Sequence, residues 1–214
     1  MDYSKPTLLV VSGPNGAGKS THIQAMLPPA LEGIWSFDRD NTRVEFEKAL
    51  EVDGVAHEEL FRKATEMMEK RLLLQMRKAI QLKNHFVLET PLSHPDYWTY
   101  INLFENSGYQ IQLNYLCLDK VSNCIARVGQ RVVEGGHFVE PRTIKGVYEK
   151  NLEYINEYKN TFKIIELYDG TNGPDLLARI EDNKVIFGVK QAISKDWIVL
   201  GLPSLAQSIK SFLQ

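Results

Sequence analysis

The chain has 214 residues, of which 43% are hydrophobic and 24% charged, a composition typical of one globular domain with a substantial core. Its 25 Lys and Arg residues against 27 Asp and Glu give a formal charge of −2, which argues against a general nucleic-acid or membrane-surface binder, because both usually carry a basic excess. No apolar run approaches the roughly 18 residues of a membrane-spanning helix, no signal peptide is recognisable, and two cysteines are too few for a disulfide framework. The expected location is therefore the reducing cytoplasm.

Apolar runs and helical periodicity alternate along the first 170 residues, which is the pattern of a parallel sheet flanked by helices. Several of the apolar runs are short and continuous, as expected of strands that are buried on both faces. The predicted strands are 7–12, 34–37, 86–88, 111–118 and 162–167, and the predicted helices are 19–27, 58–83, 97–106, 122–134 and 143–157.

The pattern changes after residue 170. Two apolar runs at 176–180 and 184–189 flank a short polar turn and predict a β-hairpin, and a short helix is predicted at 205–213. We therefore predict an α/β fold in which residues 1–170 form a helix-flanked, mainly parallel five-stranded sheet. Residues 171–214 are predicted to form a C-terminal β-hairpin and short helix packed on the same domain.

The segment between the first predicted strand and helix, GPNGAGKS, matches the phosphate-binding consensus G-x-x-x-x-G-K-[ST] at every fixed position. Its glycines allow backbone N–H groups to converge on phosphate oxygens. Lys19 would reach the β- and γ-phosphates, and the Ser20 hydroxyl would ligate Mg²⁺. The sequence thus predicts a P-loop NTPase fold with ATP and Mg²⁺ as cofactors. The predicted nucleotide-binding residues are Gly13, Pro14, Asn15, Gly16, Ala17, Gly18, Lys19, Ser20 and Thr21.

Two large classes of P-loop protein lack their further motifs in this sequence. ABC-type ATPases carry an LSGGQ-like signature and an apolar strand that ends in Asp-Glu, but here Lys120 follows Asp119. Guanine-specific GTPases carry an N-K-x-D motif, which is absent. A small-molecule kinase is the class that remains best supported.

Acidic residues follow the second and third predicted strands, at the sheet edge where ligands of open α/β sheets bind. Asp38 and Asp40 follow one strand, and Glu89 and Thr90 follow the other. A carboxylate near a substrate hydroxyl accepts its proton while the oxygen attacks the γ-phosphate. The alternatives are that Asp38 and Asp40 cap the next helix and that Glu89 forms a structural salt bridge.

Two arginines, Arg127 and Arg131, are four residues apart and therefore share one face of the predicted helix 122–134. Because a Gly-Gly break follows them, they suit a lid that offsets charge on a transferred phosphate. The alternative is that both are solvated surface residues. His137, just beyond the break, either contacts nucleotide or has no role.

The ordered motifs GPNGAGKST, FDRD at 37–40, ETPLS at 89–93 and RVGQRVVEGGH at 127–137 resemble the zeta toxin family of P-loop kinases. The resemblance covers about residues 7–168. It implies ATP- and Mg²⁺-dependent phosphorylation of a sugar hydroxyl, which in the best-known members belongs to UDP-N-acetylglucosamine. It also implies a small helical antitoxin as a partner.

The resemblance further implies that the second aspartate of the FDRD motif is the catalytic base. The predicted catalytic residues are Asp40, Lys19, Arg127 and Arg131, the predicted substrate-binding residues are Asp38, Glu89 and Thr90, and the predicted metal ligand is Ser20. Two other functions stay open: a nucleotide-dependent switch that has no small-molecule acceptor, and a kinase of RNA or DNA ends. The second is disfavoured because the chain has no basic excess.

Overall fold

The computed structural model describes residues 1–136 and 138–214. Its centre is a seven-stranded sheet with the order β2-β3-β1-β4-β5-β6-β7. The strands are β1 (Thr7–Ser12), β2 (Phe37–Asp38), β3 (Phe86–Glu89), β4 (Gln110–Cys117), β5 (Ile164–Asp169), β6 (Asp175–Glu181) and β7 (Lys184–Gly188). The first five strands are parallel to one another, β6 pairs antiparallel with β5, and β7 pairs antiparallel with β6. The predicted α/β class and mainly parallel sheet are confirmed. The sheet has seven strands rather than five, because the predicted hairpin pairs with β5 and extends the sheet.

Helices flank the sheet. They are α1 (Lys19–His22), α2 (Arg39–Val52), α3 (His57–Leu82), α4 (Pro95–Asn106), α5 (Val121–Val133), α6 (Pro141–Tyr158), α7 (Asp196–Val199) and α8 (Pro203–Phe212). Helix α3 buries one residue on nearly every turn, from Leu60 to Ala79, as its sequence period requires. Within the described residues, no helix is long and apolar enough to cross a membrane.

Two elements near the N-terminus differ from the prediction. The helix expected at 19–27 is α-helical only to His22 and continues as a 3₁₀ turn at Ile23–Met26. A second 3₁₀ turn at Pro29–Leu31 begins at the second proline of the Pro28-Pro29 pair, and the next strand begins at Phe37 instead of residue 34. Proline fixes the backbone for such a turn, and this delays the strand.

Strand β1 alternates its side chains between two apolar clusters. Leu8 and Val10 belong to the larger cluster, and Leu9 and Val11 to the smaller one on the opposite face. The strand is therefore buried on both faces, as its continuous apolar sequence predicts. From β1 the chain passes to β2 and β3 on one side, and later from β4 to β5 on the other. Such a switch point places a ligand crevice at the carboxyl ends of the central strands.

The C-terminal segment shares the larger cluster. Ile180 of β6, Trp197 and Ile198 of α7, and Leu205 and Ile209 of α8 are buried together with residues of β1, β3 and β4. The segment after residue 170 therefore packs on the core that the parallel strands form. The division of the chain at residue 170 stays a prediction.

Candidate active site

The loop after β1 curls tightly beneath the site. Gly13 has φ 152° and Gly16 has φ 82°, both in a region that disfavours side chains. A Cβ atom on Gly16 would lie 2.4 Å from the carbonyl oxygen of Cys124, and one on Gly13 would lie 2.1 Å from that of Leu116. The loop is thus pressed against β4 and α5, and glycine is required at both positions for space as well as for conformation.

The Lys19 ammonium lies over this loop. Nζ donates to the carbonyl oxygens of Gly13 at 3.0 Å and Pro14 at 3.3 Å, and it lies 4.0 Å from Oε1 of Glu89. The two carbonyls hold the cation against the loop. This is the arrangement that a phosphate-binding lysine needs.

Glu89 lies at the carboxyl end of β3, next to Lys19 and Ser20. Its carboxylate accepts the Ser20 hydroxyl at 3.0 and 3.2 Å, and the residue is 9% exposed. Burial raises the pKa of Glu89; Lys19 opposes the rise, and the negative charges of Asp38 and Asp40 add to it. The salt bridge considered for Glu89 is only a marginal contact, because the Lys19 ammonium is 4.0 Å away.

The residues around Ser20 suit a magnesium ion. A hydroxyl and a buried carboxylate supply hard oxygen ligands within hydrogen-bond distance of each other, and Mg²⁺ usually takes one or two protein ligands while phosphates and water fill the rest. Among the described residues, no group of three or more His, Cys, Asp or Glu side chains could hold a metal. Ser20 and Glu89, which lie within hydrogen-bond distance of each other, are the residues that would hold the ion together with a triphosphate.

Asp38 and Asp40 differ in what their carboxylates do. Asp38 is the N-cap of α2: Oδ1 accepts the backbone N–H of Asn41 at 3.0 Å, and Oδ2 accepts its side-chain amide at 2.7 Å. Asp40 lies in the first turn of α2 and is exposed. Its carboxylate accepts no hydrogen bond from the part of the chain that the structure describes. The capping alternative thus describes Asp38 but not Asp40.

Two cavities meet at these acidic residues. The first, of about 510 Å³, is lined by the P-loop together with Arg127, Arg131 and residues 170–173. The second, of about 350 Å³, extends toward Arg43, Phe61, Thr90, Tyr97 and Val147. The residues that border both cavities are Asn15, Lys19, Asp38, Asp40 and Glu89. A nucleotide in the first cavity and an acceptor in the second would meet beside these five residues, Asp40 among them.

The second cavity has a cationic wall that the sequence prediction did not include. The Arg39 guanidinium lies 5.0 Å from the ring centroids of both Tyr97 and Tyr100, and it pairs with Glu69. Arg43 lies 4.7 Å from the ring centroid of Phe61. The sequence did contain an indication of this wall. Arg39 stands between the two aspartates of FDRD and therefore lies at the start of the same helix.

The two arginines predicted for a lid both line the first cavity. Nη1 of Arg127 donates to the carbonyl oxygen of Gly170 at 2.9 Å, and Nη2 donates to that of Thr171 at 2.7 Å. Arg131, one turn later, is exposed. The predicted role of His137 concerns a residue outside the described ones. The loop at 170–173 was missed by the sequence prediction, although a Gly-Thr-Asn-Gly segment directly after the fifth strand was a usable signal.

The arrangement of strands, P-loop, acidic residues and arginines has a counterpart among known families. Residues 1–177 match the sequence model of the family described as Zeta toxin. The chain belongs to the zeta toxin family. This membership and the P-loop kinase fold support a nucleotide-dependent kinase. Among curated proteins, no sequence matches the chain significantly.

Solved structures also resemble this zeta toxin family member. One is a chain of the PezAT chromosomal toxin–antitoxin system of the human pathogen Streptococcus pneumoniae, with a TM-score of 0.60 and 17% identity over 96% of this chain and 87% of that one. The AvrRxo1-ORF1:AvrRxo1-ORF2 complex is similar in its native form (TM-score 0.65, 14% identity, 91% of this chain and 63% of that one). It is also similar in its form with ATP (TM-score 0.63, 14% identity, 95% and 76%). At these identities the likeness shows the fold.

Proposed function

We propose that the protein transfers the γ-phosphate of ATP to a hydroxyl group of a small molecule. The observation that carries this proposal is the position of Asp40, which borders both the P-loop cavity and the second cavity. A carboxylate at that junction is placed to contact an acceptor hydroxyl beside a γ-phosphate. A protein that only hydrolyses ATP has no need of the second cavity.

In the proposed reaction the acceptor oxygen forms a bond to the γ-phosphorus, while the bond from that phosphorus to the β–γ bridging oxygen breaks and ADP leaves. The hydroxyl proton passes to the Asp40 carboxylate. Lys19 binds the β- and γ-phosphates. Arg127 and Arg131, which border the nucleotide cavity, offset negative charge on the transferred group.

Magnesium belongs to this proposal, with Ser20 as its protein ligand and Glu89 beside it. When bound, the ion would neutralise negative charge that develops on the phosphates. The Glu89 carboxylate is buried, and burial raises its pKa. A cation next to it therefore favours the ionised form.

The acceptor that fits best is a nucleotide sugar such as UDP-N-acetylglucosamine. Arg39 and Arg43 give the second cavity positive charge for a diphosphate, and Phe61 and Tyr97 give it aromatic surface for a base or sugar ring. Thr90 adds a hydroxyl on the same wall.

We also propose that a small helical antitoxin protein binds this chain. The support comes from relatives, because the PezAT structure is of a toxin–antitoxin system and AvrRxo1-ORF1 is seen in complex with ORF2. A partner of this kind would be expected to restrain the kinase activity. Co-expression with proteins encoded next to this chain would show whether one of them binds it stably.

The test of the proposed function is phosphate transfer from γ-labelled ATP with Mg²⁺. UDP-N-acetylglucosamine, free N-acetylglucosamine and a metabolite extract serve as acceptors. We expect label in UDP-N-acetylglucosamine and little in the free sugar. Label in another metabolite would replace the nucleotide sugar but keep the kinase, whereas release of free phosphate alone would overturn the kinase in favour of a nucleotide-dependent switch.

A further inference from the structure

The segment beyond the family match contacts the ends of two parallel strands near the nucleotide cavity through two consecutive residues, Lys195 and Asp196, at the start of α7. The Lys195 ammonium pairs with Oδ2 of Asp169, the last residue of β5. The backbone N–H of Asp196 donates to Oδ1 of Asp119 at 2.9 Å, just after β4. The start of α7 is thus attached to the carboxyl ends of two neighbouring parallel strands. Lys195 and Asp196 lie outside residues 1–177, which the family model covers, whereas their partners Asp169 and Asp119 lie inside that range.

Asp169, which pairs with Lys195, also binds the loop at 170–173. Its other oxygen, Oδ1, accepts the backbone N–H of Thr171 at 3.1 Å and the Thr171 hydroxyl at 2.6 Å. The carboxylate is 7% exposed. Burial raises its pKa, but the hydrogen bonds from Lys195 and Thr171 outweigh burial, and the pKa of Asp169 is lowered overall. An ionised, nearly buried carboxylate therefore links the C-terminal segment to the loop.

The loop in turn forms part of the nucleotide cavity. The carbonyl oxygens of Gly170 and Thr171 hold the Arg127 guanidinium, and residues 170–173 line the cavity itself. A Cβ atom on Gly170 would lie 2.6 Å from the carbonyl oxygen of Ala17, so the loop packs directly on the P-loop. A displacement of Thr171 would move both Arg127 and this contact.

We propose that Lys195 is a positioning residue for the nucleotide site, and that through it the C-terminal segment sets the affinity for ATP. Without the ammonium, the Asp169 carboxylate has lost the cation that offsets its burial, and removing one partner of a buried pair is costly. Asp169 then relaxes toward water and releases Thr171. In such a variant the loop and Arg127 become ordered only when the nucleotide binds, and the entropy lost in this ordering lowers the affinity for ATP. The proposal rests on the proposed function only in that ATP occupies the P-loop cavity.

The test compares Lys195→Met, Lys195→Arg and Lys190→Met in the full-length protein. Lys190 is an exposed lysine five residues earlier in the same segment, so its substitution controls for the loss of a positive charge. Calorimetry with a nonhydrolysable ATP analogue and Mg²⁺ gives the dissociation constant without any acceptor. We expect Lys195→Met to weaken binding about tenfold, the scale for residues that act on a ligand through intermediates. Lys195→Arg should restore most of the affinity, and Lys190→Met should leave it unchanged.

A second variant covers the case in which Lys195→Met does not fold. Thr171→Val removes only the hydroxyl that Asp169 accepts, at an exposed position. It should weaken analogue binding about threefold, and the double variant with Lys195→Met should lose less than the product of the two single losses, because both act through Asp169.

The proposal is overturned if the folded Lys195→Met variant binds the analogue within about twofold of wild type, the usual error of such comparisons. Where Lys195→Met does not fold, the same result for Thr171→Val overturns it. A lower melting temperature with unchanged affinity would make Lys195 a purely structural residue. Failure of the wild-type protein to bind any nucleoside triphosphate would instead contradict the proposed function, so the two failures are distinguishable.

Discussion

Asp38 and Asp40 are two residues apart, yet the fold gives their carboxylates different tasks. Both border the two cavities, but the Asp38 carboxylate satisfies the start of α2 through Asn41, while the Asp40 carboxylate accepts no hydrogen bond from the described residues and is exposed. An N-cap contributes to stability, whereas a base contributes only to the chemical step. The two roles can therefore be separated by substitution.

We expect Asp40→Asn to lower phosphate transfer by at least about a hundredfold, the usual scale for a lost general base, with ATP binding preserved. The amide keeps the size of the side chain but cannot accept the proton. Asp38→Ala should lower the free energy of unfolding by about 1 kcal/mol, as for other lost N-caps, and should affect turnover less. Initial rates, calorimetry and urea unfolding measure the three quantities. Near-normal turnover of Asp40→Asn would remove Asp40 from the role of base.

Glu89 is expected to destabilise the nucleotide-free protein at neutral pH. Burial raises the pKa of Glu89 above the ordinary value of a glutamate, so folding favours the protonated side chain relative to the ionised one. The stability that protonation contributes is present below the unfolded pKa and is lost as the pH rises through the folded pKa. Ionised Glu89 therefore costs stability at pH 7 but not near pH 4.

Glu89→Gln should then unfold at a higher temperature than wild type at pH 7 in the absence of nucleotide and Mg²⁺. A gain of about 1 kcal/mol would correspond to about 2–4 °C for a protein of this size. The difference between the two proteins should shrink as the pH falls from 7, because wild-type Glu89 takes up its proton as the pH passes down through its raised pKa. Calorimetric scans at several pH values measure it. A wild type that is the more stable protein at pH 7 would show that Lys19 and Ser20 outweigh burial.

Among the elements, the P-loop and α5 offer a matched pair of glycines. Gly16 has a positive φ and its missing Cβ would collide with the Cys124 carbonyl of α5. Gly129 lies inside α5, is exposed, and has nothing within 4 Å of its missing Cβ. Alanine should therefore be harmful at one position and helpful at the other.

We expect Gly16→Ala to abolish nucleotide binding and to lower the free energy of unfolding by more than about 1 kcal/mol, because both the conformation and the space are incompatible with a methyl group. Gly129→Ala should raise the free energy of unfolding by about 0.5–1 kcal/mol, the usual cost of glycine inside a helix. Urea unfolding and calorimetry with an ATP analogue check both. Equal stability of the two variants would contradict the close packing of the P-loop on α5.

The elements that the sequence predicted well are those with a strong local signal. Strand β1, the P-loop and helix α3 carry continuous apolar runs, fixed glycines or a long helical period, and they are found within a few residues of their predicted bounds. Helix α2 has no such signal, because Arg43 is its only buried residue among those described. The sequence showed the aspartates at its start but not the helix itself.

The parts of the site that the sequence did not predict depend on contacts between distant residues. Arg39 and Arg43 enter the second cavity because α2 packs on α3, and Thr171 enters the first because Arg127 holds the loop. Neither contact has a local pattern. The P-loop motif, by contrast, specifies its own geometry, so its residues could be identified without the structure.

At the scale of the whole molecule, the C-terminal segment completes the core. The hairpin of β6 and β7 was predicted from its own sequence pattern. The sequence contained no sign that β6 pairs with β5, because no crossover helix connects these two strands. Trp197 of α7 is 2% exposed, and its ring centroid lies 5.7 Å from that of Tyr115 on β4. The same residue type occurs at Trp35, which is 85% exposed. Substitution of the buried Trp197, with the exposed Trp35 as a control, can therefore measure how much the C-terminal segment contributes to the free energy of unfolding.

We expect Trp197→Ala to lower the free energy of unfolding by about 3–5 kcal/mol, the usual cost of removing a large buried aromatic side chain. Trp35→Ala should change it by no more than about 0.5 kcal/mol, as for an exposed position. Urea unfolding followed by circular dichroism measures both. A single cooperative transition in the wild type, lowered as a whole by Trp197→Ala, would mean that the parallel strands and the C-terminal segment unfold together. If the wild type instead unfolded in two steps, and Trp197→Ala changed only the step at lower urea concentration, the C-terminal segment would unfold separately from the parallel strands. Its effect on the loop at 170–173 would then depend on the contacts of Lys195 alone and not on the shared core.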